Sequence, residues 1–407
     1  MMRGNDPAGR KALHLQKETE AMTRTIALTG ARIFDGTASH ENAAVLFSDG
    51  VVSAIVPNEH ASSDFEVVRL DGGLLAPGFI DLQANGGGGV LFNEEPTVEG
   101  IRKICDAHAR FGTTALLATL VTDTPEIMKR AIEAGARAHE QKVPGFLGLH
   151  LEGPHLSMQK RGAHHPDLIR PLTDKDIEIL RDARGVLPNL MVTLAPEAVQ
   201  DAQIAELTKA GICVSLGHTN ASAARAKQAF RAGARSVTHL FNAMSGLSHR
   251  EPGLVGALLN TDDAFAGLIA DGHHVVTDAI NIALRSKTGG GKIFLVTDAM
   301  SPTGTDLTSF ELNGRRIFRR DGKLTLEDGT LAGADLDMNT AVNFVARNTA
   351  LSFEEALRMA SLYPAECLGI EKTRGCLMQG AVADAVHLDD DGNVQAVWRA
   401  GTNFAAV

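Results

Sequence analysis

Leu149-His-Leu-Glu-Gly-Pro154 ends an apolar run by placing one carboxylate, Glu152, where a strand should give way to a loop. The same arrangement recurs three times further along the chain. Leu216-Gly-His-Thr-Asn220 and Thr238-His-Leu-Phe-Asn242 place His218 and His239 at such junctions, and Phe294-Leu-Val-Thr-Asp298 places an aspartate. Working outward, eight short buried strands are expected: Phe79–Gln83, Thr114–Leu120, Phe146–Leu151, Leu190–Leu194, Ile212–Leu216, Ser236–Leu240, Phe265–Ala270 and Ile293–Thr297. Helical patterns separate them, among them Val98–Phe111, Pro125–His139, Ala198–Ala210 and Ala221–Ala232. Apolar runs alternating with helices read as successive βα units. Eight units over about 220 residues fit a closed (β/α)8 barrel of the TIM type better than an open sheet.

The chain ends read differently. Thr25–Ile33 alternates apolar and polar residues, Ala44–Phe47 and Val51–Val56 flank the turn Ser48-Asp-Gly50, and Val67–Leu70 precedes Asp71-Gly-Gly73. Ala385–Leu388, a turn at Asp389-Asp-Asp-Gly-Asn393 and Val394–Trp398 return to the same style. These are hairpin signals. They predict a small β-sandwich domain from residues 24–75 together with 376–407, leaving 76–375 to the barrel. An insertion at Phe310–Leu326 reads as a hairpin around Arg319-Arg-Asp-Gly322, followed by helices at Asp335–Thr349 and Phe353–Leu362. Residues 1–23 are polar with no apolar core segment, so they read as a disordered tail, not a signal peptide.

Composition narrows the partners. A hydrophobic content of 44% and a charged content of 22% over 407 residues are those of a soluble globular protein with ample core. A formal net charge of -10 argues against nucleic acid and anionic membrane. One Trp and one Tyr offer no stacking platform for bases. No apolar stretch approaches the roughly 18 residues of a membrane helix. Cys105, Cys213, Cys367 and Cys376 show no C-x-x-C spacing, which fits free thiols in the cytoplasm.

In a barrel, reacting groups sit at the C-terminal strand ends. Glu152 follows the third strand, His218 the fifth, His239 the sixth and Asp298 the eighth, so all four face one mouth. Alone, a strand-end histidine is more often structural and Glu152 suits a helix cap. Together they form a three-ligand metal site with a position left for water. Zinc fits best, with iron, cobalt or manganese as alternatives. Such a metal acidifies water and polarises a carbonyl, and Asp298 is placed to serve as general base and then acid. That is a hydrolase in outline.

Nine of the fifteen histidines lie between His150 and His274. His164, in Lys160-Arg-Gly-Ala-His-His165, and His274, in Ala270-Asp-Gly-His-His274, are candidate substrate contacts, with His165 and His273 as the competing members of each pair. Backbone N–H groups beside Asn242 and Ala243, with the Arg250 guanidinium, are candidates for holding a phosphate. A surface pair between Arg250 and Glu251 is the structural alternative. Gly86–Gly89 matches no nucleotide-binding pattern, and no G-x-S-x-G is present.

Several segments together carry a resemblance. Pro77-Gly-Phe-Ile-Asp-Leu-Gln83, His150-Leu-Glu-Gly-Pro154, Gly162-Ala-His164, Gly217-His-Thr-Asn220, His239-Leu-Phe-Asn-Ala-Met244, Arg250-Glu-Pro-Gly253, Val296-Thr-Asp-Ala-Met300 and Leu331-Ala-Gly333 are similar to those of the N-acetylglucosamine-6-phosphate deacetylases, in the amidohydrolase superfamily. The likeness runs in order from Ile26 to Trp398. It implies that Glu152, His218 and His239 hold the metal and that Asp298 is the acid/base. It also implies that His164 polarises the acetamide carbonyl, that His274 meets a sugar hydroxyl and that Asn242 and Ala243 hold the phosphate. Arg250 would reach the phosphate of a neighbouring subunit in a homodimer, and Leu331 would face the substrate. Gln83-Ala-Asn85 stands where many relatives carry His-x-His for a second metal, which implies one metal per subunit.

The implied reaction is hydrolysis of N-acetylglucosamine 6-phosphate to glucosamine 6-phosphate and acetate, in amino-sugar catabolism or cell-wall recycling. The alternatives are the galactosamine isomer and another amide; a catalytically silent scaffold barrel is the alternative of a different class. Cyclic-amide hydrolases usually show the His-x-His pair and a bridging lysine, neither of which is evident.

Overall fold

Eight parallel strands pair in chain order: Phe79–Ala84, Thr113–Val121, Phe146–Glu152, Leu190–Leu194, Cys213–Leu216, Ser236–Val237, Phe265–Leu268 and Ile293–Leu295. In this computed structural model, residues 25–61, 65–312 and 314–404 are described; the tail expected over 1–23 lies outside them. First and eighth strands meet through a parallel bridge between Ala84 and Ala299. The Asp298 N–H donates to Gln83 O (2.9 Å), and Thr297 Oγ1 donates to the buried carboxylate of Asp81 (2.5 Å). These contacts close the sheet, giving the (β/α)8 barrel that the apolar periodicity predicts.

Both faces of these strands are covered, one by the barrel interior and one by helices, which explains why they read as unbroken apolar runs. Helix starts follow local chemistry. Thr124 caps Pro125–Glu140 by accepting the Ile127 N–H, and Pro125 stands in the first turn, where its missing N–H costs nothing. Thr173 and Asp176 form a reciprocal capping box on Asp174–Val186.

The last three strands are shorter than expected. Ser236–Leu240 stops at Val237, Phe265–Ala270 at Leu268 and Ile293–Thr297 at Leu295. Two of the segments that follow turn sharply at His239 (φ 30°) and Asp298 (φ 51°), and the fifth does so at His218 (φ 46°). Left-handed backbone ends a strand, whatever the hydrophobicity of the residues around it.

Both chain ends build two further sheets. Thr25–Thr29, Ala43–Ser48, Val51–Pro57 and Glu66–Arg69 form one of four strands. Leu74–Pro77, Arg32–Phe34 and Ser39–His40 join Ala385–Leu388, Val394–Arg399 and Thr402–Phe404 in one of six. Ile26, Leu28, Val45, Phe47, Leu75 and Trp398 pack between them in a core of their own.

The insertion after the eighth strand is larger than the single hairpin expected at Phe310–Leu326. It is a four-stranded antiparallel sheet, Ser309–Leu312, Arg315–Arg320, Lys323–Thr325 and Leu331–Ala334. Its buried face, with Leu312, Ile317, Leu324 and Ala332, packs on Leu91 and Met300 beside the barrel mouth. Among the described residues no helix is long and apolar enough to cross a membrane.

Candidate metal centre and catalytic cavity

Glu152 is the last residue of the third strand, while His218 and His239 lie just beyond the fifth and sixth. All three are buried, at 2%, 6% and 4% exposure. Their donor atoms converge: His218 Nε2 and His239 Nε2 each lie 3.1 Å from Glu152 Oε1 and 3.0 Å from one another. His218 Nδ1 donates to Lys160 O (2.8 Å), so its lone pair is on Nε2 and faces the cluster. Burial pushes the Glu152 carboxyl up, but the two imidazoles outweigh it and hold the group well below the usual carboxylate range. Burial lowers the His239 pKa, and the same carboxylate more than reverses that. A buried anion with two convergent imidazole nitrogens is a donor set for a divalent cation, and the three residues form a group of metal-binding geometry.

Asp298 faces this cluster. Its Oδ1 accepts from Asn85 Nδ2 (2.7 Å) and Gln83 Nε2 (3.1 Å), and Gln83 Nε2 also approaches both Glu152 oxygens at 3.4 Å. Burial, with the negative charge of Glu152, pushes the Asp298 pKa up to about 6. A carboxylate titrating near neutrality is suited to accept a proton and return it. His218, His239 and Asp298 all adopt positive φ, a conformation costing of order 1–3 kcal/mol each in a non-glycine residue. Strain concentrated at three strand ends is a mark of a working site.

One cavity of about 570 Å³ joins these residues. Its wall includes Glu152, His164, His218, His239, Asn242, Ala243, His274, Asp298 and Leu331, nine of the ten site residues expected from sequence. His164 and His274 form part of this wall; His165 and His273 do not. His164 Nε2 is 3.3 Å from His218 Nε2, and His274 Nδ1 bonds Asp271 Oδ2 at 2.6 Å. Arg250, the tenth, is exposed and outside the cavity. Glu251 accepts the backbone N–H groups of Ala223 (2.7 Å) and Gly253 (3.0 Å), so the surface carboxylate beside Arg250 is already engaged. The Asn242 backbone N–H is likewise spent on His239 O (2.9 Å). A larger cavity, about 750 Å³, lies among Phe146, Arg374, Arg399 and Phe404 and contains none of these groups.

Residues 74–403 match the amidohydrolase family. The chain belongs to that family. An N-acetylgalactosamine-6-phosphate deacetylase of Shewanella sp. (strain ANA-3) is 42% identical to this amidohydrolase over 91% of this chain and 94% of that protein. An N-acetylglucosamine-6-phosphate deacetylase of Haemophilus influenzae is 35% identical over 84% and 89%. Among solved structures, the N-acetylglucosamine-6-phosphate deacetylase of Pasteurella multocida superimposes with a TM-score of 0.90 at 35% identity, covering 94% of this chain and all of that one.

Sequence reasoning treats Gln83 and Asn85 only as replacements for a metal-binding pair. In this amidohydrolase they tether Asp298 instead. Their signal is positional: residues 83 and 85 share a face at the end of the first strand, next to the eighth. Loss of a hydrogen bond to a charged group costs about 1.5–3 kcal/mol. Asn85→Ala should therefore lower kcat by about 10- to 100-fold, with metal content measured by atomic absorption unchanged.

Proposed function

We propose that this amidohydrolase removes the acetyl group from an N-acetylhexosamine 6-phosphate, giving the free amino sugar phosphate and acetate. The convergence of Glu152, His218 and His239 opposite Asp298 within one cavity carries the reading. A divalent cation on those three residues, zinc first and iron, cobalt or manganese as alternatives, supplies Lewis acidity toward a carbonyl and toward water. Asp298 takes the proton of the attacking water and delivers it to the departing amine. His164 holds the acyl oxygen as negative charge develops on it. His274, oriented by Asp271, meets a sugar hydroxyl. Asn242 and Ala243 line the phosphate end, and Leu331 packs on the sugar. Arg250 reaches the phosphate in a neighbouring subunit's cavity, which makes the working unit a homodimer; its exposure outside its own cavity supports this. The same proposal divides the chain into a β-sandwich domain (24–75 with 376–407) and a barrel domain (76–375). It also places the protein in the cytoplasm, where four buried unpaired cysteines are at home.

N-acetylglucosamine 6-phosphate is the first candidate substrate. The galactosamine epimer is a second reading, favoured by the 42% identical Shewanella relative. Acetate release should be measured with both phosphorylated sugars and with unphosphorylated N-acetylglucosamine, using chelator-stripped and zinc-reloaded protein. Turnover is expected only with metal, and the phosphorylated sugars should exceed the unphosphorylated one by at least about 100-fold in kcat/KM, the worth of two or more charge-assisted hydrogen bonds. Zinc-loaded protein that turns over no phosphorylated sugar would refute the substrate assignment.

A further inference from the structure

Asp81, the third residue of the first barrel strand, is fully buried, at 0% exposure. Its Oδ1 accepts the backbone N–H groups of Gln83 (3.1 Å) and Thr297 (3.3 Å), and its Oδ2 lies 2.5 Å from Thr297 Oγ1. Thr297 is buried as deeply, and the same hydroxyl oxygen accepts the Ala299 N–H at 3.2 Å. Backbone N–H groups can only donate, so Oδ1 accepts both of them whether the carboxyl group is ionised or holds a proton on Oδ2. One buried carboxyl group and one buried hydroxyl thus hold the residues immediately before and after Asp298.

Asp298 needs such support. At φ 51° it adopts a conformation that persists only where the surroundings over-determine it. Its own N–H donates to Gln83 O (2.9 Å), and its carbonyl accepts the Ala334 N–H (2.9 Å). The Asp81 carboxyl also fixes the Gln83 backbone, and Gln83 Nε2 donates to Asp298 Oδ1 at 3.1 Å. Neither Asp81 nor Thr297 lines the cavity, so an effect of either on turnover must pass through a neighbour.

We infer that Asp81 and Thr297 are positioning residues, a buried clamp across the seam of the first and eighth strands that fixes the left-handed turn presenting Asp298 to the metal cluster. A bond that only closed the barrel would contribute stability and leave the rate alone. The clamp bears on the rate because a proton-transfer group works only within hydrogen-bond reach of the proton it takes. Its catalytic value rests on the acid–base role proposed above for Asp298.

Thr297→Val keeps the branched shape and removes the hydroxyl. In zinc-loaded protein it should lower kcat about tenfold with KM changed less than about twofold, and Thr297→Ser should restore most of the rate. Added to Asp298→Asn, the valine should cost almost nothing further, since a residue acting through Asp298 then has no proton-transfer group left to position. Wild-type kcat in Thr297→Val, a serine variant as impaired as the valine one, or a loss fully additive to that of Asp298→Asn overturns the clamp. Full activity in Asp298→Asn overturns the acid–base reading, and the inference with it. A crystal structure of Thr297→Val needs no substrate and should show the Asp298 carboxylate moved from its 2.7 Å bond with Asn85; an unmoved Asp298 turn and carboxylate also overturn the clamp. If the valine variant does not fold, Asp81→Asn is the second test. It keeps an oxygen for the two N–H groups, sets an amide against Thr297 Oγ1 and should lower kcat in the same way; wild-type kcat there overturns the inference.

Discussion

Asp298→Asn keeps its metal and loses turnover, by about 10²- to 10⁴-fold in kcat, the range over which a general acid–base group contributes. Asparagine preserves the shape of the side chain and can still bond an amide of Gln83 or Asn85, but it neither accepts a proton from water nor returns one to an amine. Metal content near one per subunit together with the kinetic loss separates proton transfer from metal binding. Full activity in the variant would remove Asp298 from the mechanism. The pH profile gives the sign independently. Asp298 must be ionised to act as the base, and burial raises its pKa to about 6. A cation on Glu152, His218 and His239 favours the ionised form. The acid limb of kcat should therefore lie at or below about pH 6, with the rate falling as pH drops through it.

Replacing a residue of the metal cluster has a different signature. His218→Ala, His239→Ala and Glu152→Gln each leave two of three protein donors, and each should lose both bound metal and activity, by at least about 10³-fold. Atomic absorption on dialysed protein measures the first loss and acetate release the second. A readout free of catalysis comes from melting temperature. A ligand that binds only the folded state stabilises it by mass action, so zinc should raise the wild-type Tm and leave the variants nearly unmoved. Unchanged metal content in any of the three would show that the donor in question is dispensable.

These residues are visible in the chain for a physical reason. A barrel exposes reactive groups where apolar strands end, so a titratable residue immediately after an apolar run is conspicuous, and Glu152, His218, His239 and Asp298 all occupy such positions. The His-His pairs leave two choices open, which only the three-dimensional path of each loop resolves. Gln83 and Asn85 act by orienting another side chain, Asp298, through amide groups that also occur at neutral positions. No one-dimensional pattern distinguishes a tether from a bystander. The inserted sheet is under-read because Leu331–Ala334, which contains Gly333, has little strand signature of its own and pairs with Lys323–Thr325 across the turn near Gly329. The shortened sixth and eighth strands show the converse limit: hydrophobicity predicts extension where His239 and Asp298 require a turn.

The sheet that unites both chain ends bears on how the molecule is made. His387 bonds Gly72 across 315 positions, and Leu74–Pro77 pairs with Ala385–Leu388. During synthesis Leu74–Pro77 leaves the ribosome long before Ala385–Leu388 exists. The barrel can assemble meanwhile, and the four strands Thr25–Thr29, Ala43–Ser48, Val51–Pro57 and Glu66–Arg69 can pair locally, but one edge of Leu74–Pro77 lacks its antiparallel neighbour until Ala385–Leu388 emerges, the slow regime expected of contacts distant in sequence. Deleting Ala385–Leu388 would thus strip the antiparallel neighbour from Leu74–Pro77, a strand synthesised far earlier.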